Sequence, residues 1–176
     1  MTGIYIESPL RSDKNNLYIL PKMSFVINGS QPNSDKISNE ESTNNVFSLL
    51  NIDSLNRFTG TDKLDNSKRL DLGLNIKNNM LNGNLWTAYE FTNNSNYHYT
   101  QGNEKKLSDF LGDINLTKKN YSTSYNFRFD PHNNYMKSQN INLSYEKLIS
   151  EANIINYDYI TDSFSISFSK SLRLNN

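Results

Sequence analysis

Residues 70–76 read Leu70-Asp71-Leu72-Gly73-Leu74-Asn75-Ile76. Every second residue is apolar, and the residues between are Asp, Gly and Asn. Side chains on an extended strand point to opposite faces in turn, so this run has one apolar and one polar face. Helical spacing fits it poorly. The same alternation returns in Tyr121, Thr123, Tyr125, Phe127 and Phe129, in Ile141, Leu143 and Tyr145, and in Phe164, Ile166 and Phe168, each set separated by Ser, Asn or Arg. The pattern predicts strands at 17–28, 69–81, 84–97, 109–118, 121–130, 135–147, 151–160 and 163–174. Ile4 and Ile6 read as the end of one more. Several of these runs match the roughly 9–11 residues of a tilted membrane strand better than the shorter strands of soluble sheets.

The connections carry a second pattern. Asn82-Gly83 predicts a two-residue hairpin turn, because a type I′ turn needs positive φ at both central positions. Lys119-Asn120 predicts another tight turn. The stretches 98–108 and 29–68 are longer and polar, as in barrels with short turns at one end and long loops at the other. The later connections near 131–134 and 161–162 are short and depart from this. One helical turn fits residues 45–50, inside the long loop. Trp86, Tyr97, Tyr121, Tyr135, Tyr145 and Tyr159 fall near predicted strand ends, where amphipathic rings form girdles in a bilayer. The expected fold is all-β: an antiparallel up-and-down meander of about eight strands, one domain over 1–176, read as a membrane barrel ahead of a soluble β-sandwich.

Composition bounds function. The chain has 176 residues, no cysteine and zero formal net charge, with 35% hydrophobic residues. Thirty Asn and 22 Ser make its polarity uncharged. No apolar run is long enough for a helical span. Zero net charge argues against a nucleic-acid partner. His98 and His132 belong to no ligand cluster, and no metalloprotease, phosphate-loop or nucleophile-elbow motif is present. Glu40-Glu41 and the group Asp62, Asp65 and Asp71 read as solvated loop charges. No enzyme, metal or cofactor is expected. The N-terminus lacks the basic and apolar regions of a signal peptide.

The most informative segment is Asn56-Arg57-Phe58-Thr59-Gly60-Thr61-Asp62-Lys63, in the longest loop. Loops of that length in compact domains are usually functional or disordered. Here Gly60 permits a tight turn, Phe58 can anchor against a wall and Arg57 can fork onto a carboxylate.

At this segment the chain resembles the barrel domain of the LptD family of lipopolysaccharide-assembly proteins, also called organic solvent tolerance protein. The matching stretches are Ser38-Asn39-Glu40-Glu41-Ser42, Asn45-Val46-Phe47-Ser48, Asn56 to Lys63, Ser67-Lys68-Arg69 and Leu72-Gly73. Pro9-Leu10 and Leu20-Pro21 fit the preceding hairpin of the family, and Leu107-Ser108-Asp109 and Phe127-Arg128-Phe129-Asp130 its later strands. The chain departs from the pattern in Lys63 for Arg, Ser38 for Pro, Ser67 for Gly and an insertion at 49–54.

The resemblance implies a non-enzymatic segment of the cell outer membrane, acting in lipopolysaccharide transport. Its implied partners are an LptE-like lipoprotein plug, a periplasmic lipopolysaccharide bridge component and lipopolysaccharide itself. Family members also carry a signal peptide, a periplasmic jellyroll and a very large barrel, so the resemblance implies that the chain is a segment of a large transmembrane β-barrel, truncated at both ends. Asn56, Arg57, Phe58, Gly60, Asp62, Lys63 and Arg69 are the expected contact set for lumen or partner. Leu70, Leu72, Leu74, Ile76, Tyr125, Phe127, Phe129, Phe164, Ile166 and Phe168 are the expected lipid-facing set. Two other classes fit the residues: a carbohydrate-binding or adhesin β-sandwich, in which Trp86 and the tyrosines stack on sugars, and a diffusion porin.

Overall fold

A computed structural model describes residues 1–29, 48–57, 67–92, 106–145, 150–158 and 163–170, the last two stretches by backbone alone. Among the described residues the chain is all-β. Its strands are β1 (Thr2–Glu7), β2 (Leu10–Ser12), β3 (Leu17–Ile27), β4 (Lys68–Lys77), β5 (Leu81–Glu90), β6 (Phe110–Lys118), β7 (Tyr121–Asp130), β8 (Tyr135–Tyr145), β9 (Ser150–Asp158) and β10 (Ser163–Lys170). They pair in the order β1-β3-β4-β5-β6-β7-β8-β9-β10, with β2 also on β3. The eight expected strands are β3 to β10. No helix of the described residues is long and apolar enough to cross a membrane, which leaves crossing by strands untouched.

Local chemistry sets the strand ends. β1 and β2 run along the same partner and are interrupted at Ser8-Pro9. Pro9 has no N–H to give to the ladder. Asn16, Lys119 and Asn134 take positive φ at 48°, 51° and 56°. The last two sit in the turns expected at 119–120 and 131–134. The Asn82-Gly83 turn is corrected, as both residues lie inside β5. The reversal occurs at Asn78, whose Oδ1 accepts the N–H groups of Met80 and Leu81 at 2.8 and 2.7 Å. Its own N–H donates to the Leu81 carbonyl at 2.8 Å. An Asx side chain mimics a backbone turn, and here it outcompetes the Asn-Gly pair.

Contacts group the described residues into two units. The first draws on Met1–Ser8, Pro21–Leu74 and Trp86–Phe110, the second on Pro9–Leu20, Asn75–Leu85 and Leu111–Asn176. In the first, Ser24, Val26, Asn28, Arg69, Asp71, Trp86, Ala88 and Glu90 share the polar face and are buried. The opposite face shows Ile4, Ile6, Phe25, Ile27, Leu72, Tyr89 and Phe91 to the outside. Phe91 meets Tyr89 and Phe25 edge-on, with centroids 5.1 and 6.0 Å apart.

Trp86 is a further correction. It sits mid-strand in β5, on the polar face and only 7% exposed, rather than in an end girdle. It lies flat because Gly73 lacks a side chain: a Cβ there would stand 2.7 Å from the indole.

The second unit repeats the alternation. Ile114, Leu116, Tyr121 and Leu143 are exposed on its apolar face. Phe127 packs over Gly112 and stacks with Tyr125 at 5.5 Å. Tyr121 pairs with Tyr145 across β7 and β8, rings stacked at 4.6 Å. Between Arg128 and Phe129 the register shifts, so Lys137 is the extra residue of a bulge. That residue re-aims a side chain. The Lys137 ammonium is buried 3.4 Å from the Asp130 carboxylate.

Candidate functional site

The polar face of the first unit carries a strap, residues 48–57, clamped by two arginines. Sequence builds it locally. The Ser48 carbonyl accepts the N–H groups of Asn51 and Ile52 at 3.2 and 3.1 Å, closing a turn. The Asn51 side chain accepts the Ser48 N–H at 2.9 Å. The turn drives Ile52 inward until it is fully buried. Leu55 rests on Gly3 of β1, where a Cβ would come within 2.6 Å of its methyl carbon.

Arg57 folds back on this turn. Its Nε and Nη2 donate to the Ile52 carbonyl at 3.2 and 2.8 Å, and Nη2 also reaches Asp71 Oδ1 at 2.6 Å. Arg69, on β4, donates from Nε to both Asp71 oxygens at 3.1 Å. Its Nη1 donates to the Ser67 hydroxyl at 2.7 Å, and its Nη2 to the Ser54 carbonyl. Ser24 of β3 donates to Asp71 Oδ2 at 2.9 Å. One carboxylate thus collects two guanidiniums and a hydroxyl. The same guanidiniums hold two strap carbonyls. Arg57, Arg69 and Asp71 are each at most 2% exposed. Buried charges need this density of pairing, because desolvation otherwise outweighs the Coulomb attraction.

A second set of buried acceptors closes the neighbouring strand end. Glu90 Oε1 accepts from the Lys68 N–H at 2.9 Å and from the Thr92 hydroxyl at 2.6 Å. The Ser108 hydroxyl accepts the Ala88 N–H at 2.8 Å and donates to the Asp109 carbonyl at 2.9 Å.

Of the expected contact set, Arg57 and Arg69 meet on Asp71, and Asn56 is half-buried beside them. Phe58, Gly60, Asp62 and Lys63 lie outside the described residues. The acidic partner is therefore a correction: Asp71 is a buried member of β4, not a solvated loop charge. A sequence signal for it existed, since Arg69 and Asp71 are two apart and so share the polar face of one strand. Nothing in the spacing singled out Ser24 or the strap carbonyls.

Of the apolar set, Leu72 is 43% exposed, and Leu70, Leu74, Ile76, Tyr125, Phe127 and Phe129 are half-buried. Phe164 stands opposite Tyr157 and Phe168 opposite Ala152, while Ile166 falls at a register shift.

The second unit's polar face carries a largely neutral ladder of amides and hydroxyls. Asn75 donates to Asn84 Oδ1 at 2.8 Å, Asn84 to Asp113 at 3.0 Å, and Asn115 to Asp113 at 2.9 Å. Asn142 donates to Ser124 and Asn140 at 3.2 and 2.7 Å, and Ser122 bonds Ser144. Hydroxyls and amides both give and accept hydrogen bonds, so such a wall suits polar, hydrated passengers. Among the described residues no group of His, Asp or Glu is arranged to hold a metal ion.

Comparison with curated proteins returns no match. The family model for LPS transport system D, LptD, does match, over residues 2–173, so the chain belongs to the LptD family of outer-membrane proteins that transport and assemble lipopolysaccharide.

Proposed function

We propose that this chain is a wall segment of the outer-membrane barrel through which lipopolysaccharide reaches the outer leaflet. The observation that carries this reading is an inverted polarity. Among the described residues twelve buried side chains are polar or charged and five are hydrophobic, while twenty large hydrophobic residues are exposed. A water-soluble sandwich buries its apolar faces against each other. A barrel wall turns them to lipid and keeps its polar side chains inside.

In this reading Leu70, Leu72, Leu74, Ile76, Tyr125, Phe127 and Phe129 meet acyl chains. The Asn and Ser ladder lines a wet lumen, and the role is passage, not catalysis. The 48–57 strap lies at the lumen side. Asn56, Arg57 and Arg69 fix the strap for an LptE-like lipoprotein plug, and substrate arrives from a periplasmic bridge.

The test is a pair of charge insertions in the protein folded in its own membrane. Leu72→Arg costs roughly 2–4 kcal/mol if its side chain lies at the bilayer midplane, and Asn75→Arg little. Heat-modifiable mobility on gels reads the folded fraction. Equal tolerance of both changes contradicts the facing assignment.

A further inference from the structure

The polar face of the first unit bears one aromatic that its packing does not explain. Tyr5 pairs across β1 and β3 with Ser24, whose hydroxyl points to Asp71, so Tyr5 is on the polar face. Trp86 on that face is covered, yet Tyr5 is 48% exposed. An open aromatic ring on a hydrophilic wall offers a flat apolar face beside a polar hydroxyl tip.

Its surroundings define the chemistry. The Tyr5 hydroxyl donates to Glu7 Oε1 at 2.6 Å, which fixes the tilt of the ring. Lys22, the cross-strand partner of Glu7, puts its ammonium 3.5 Å from the same oxygen. That ammonium also lies 5.9 Å from the centre of the Trp86 ring, whose position Gly73 permits. The cation is held from two sides, by a carboxylate and by the face of an indole. Both charged side chains stay partly open, at 25% for Lys22 and 39% for Glu7.

We propose that Tyr5, Glu7 and Lys22 form a saccharide-binding platform. The occupant is a pyranose ring of the lipopolysaccharide sugar chain. A pyranose offers an apolar C–H face to the tyrosine ring, and rim hydroxyls that donate to a carboxylate and accept from an ammonium. An acyl chain matches only the apolar half of that set. The platform rests on the wall reading above, because it needs this face to meet the passing substrate.

Two experiments separate the platform from that reading. A photo-crosslinking amino acid is placed at Tyr5, Asn84 or Asn115 in the protein in its native outer membrane. Ultraviolet-dependent lipopolysaccharide adducts are expected at all three. Adducts at Asn84 and Asn115 without one at Tyr5 overturn the platform and leave the wall standing. Adducts at none of them overturn both. The second experiment titrates the detergent-purified protein with oligosaccharide released from lipopolysaccharide by mild acid. Tyr5→Ala weakens binding about three- to tenfold, and Tyr5→Phe, which keeps the ring, changes it less than about twofold. The heat-modifiable band confirms that both variants fold, since the side chain is open. Equal affinities for Tyr5→Ala and the unchanged protein overturn the platform.

Discussion

The two polar regions solve the same problem in opposite ways. Around Asp71 the polar face carries full charges, covered by the strap and densely paired. Along Asn75, Asn84, Asp113 and Asn115 it is largely neutral, half-buried and linked by amide hydrogen bonds. Charges withdrawn from water bind a segment firmly but tolerate no loss of a partner. A wet ladder of amides exchanges its bonds with water at small net cost. The first design fixes a backbone in place. The second leaves a surface free to bond with whatever passes.

The sharpest way to break this contrast is to remove the shared carboxylate. Asp71→Ala removes the buried carboxylate that Arg57 and Arg69 share, and is expected to cost about 3–5 kcal/mol. Urea unfolding followed on heat-modifiable gels measures it. A loss below that of any ladder substitution would mean the clamp is hydrated.

Next comes Arg57→Ala. Asp71 keeps Arg69 and Ser24, so the expected cost is smaller, on the order of 1–3 kcal/mol, and local to the strap. The readouts are faster proteolysis within 48–57, greater permeability of the outer membrane to large antibiotics and weaker co-purification of the plug lipoprotein. Wild-type levels in all three would make the strap a passive connection.

Gly73→Ala tests close packing rather than charge. The added methyl group collides with Trp86, and overpacking typically costs about 1–3 kcal/mol. The chain has one tryptophan, so its fluorescence reports the displacement directly. An unchanged emission maximum would show that the indole does not rest on Gly73.

The smallest effect is expected from Asn84→Ala. It removes a bridging amide from the ladder, but water replaces the bonds, and the change stays under about 1 kcal/mol. A cost as large as that of Arg57→Ala would erase the distinction between the two regions.

How much of this was legible follows from the same contrast. Period-two alternation declares which side chains share a face, so the strand at 70–76 and its apolar side are readable from seven letters. Pairing register is not readable in that way. Asn82-Gly83 is the stronger turn signal taken alone, yet the chain reverses at Asn78. That register sets Trp86 on Gly73 and Asn75 on Asn84, interactions no local rule can weigh. It also carries Trp86 away from the girdle positions.

The clamp was half legible. Arg57 announces a need for a carboxylate, but Asp71 lies 14 residues away, and its selection depends on the fold of the strap. Tyr5 was legible only as part of a strand remnant. Its exposure on the polar face follows from the β1–β3 register.

The most direct measurement of facing uses the absence of cysteine from these 176 residues, so that an introduced thiol is the sole label site within them. Single cysteines replace Leu72, Leu74, Leu85, Asn75, Asn84 and Asn115 in the protein in intact outer membranes. Each is treated with a charged, water-soluble maleimide. The barrel-wall reading predicts strong labelling at Asn75, Asn84 and Asn115 and little at Leu72, Leu74 and Leu85, because a thiol surrounded by acyl chains meets neither water nor reagent. Uniform labelling, or the reverse pattern, would contradict it.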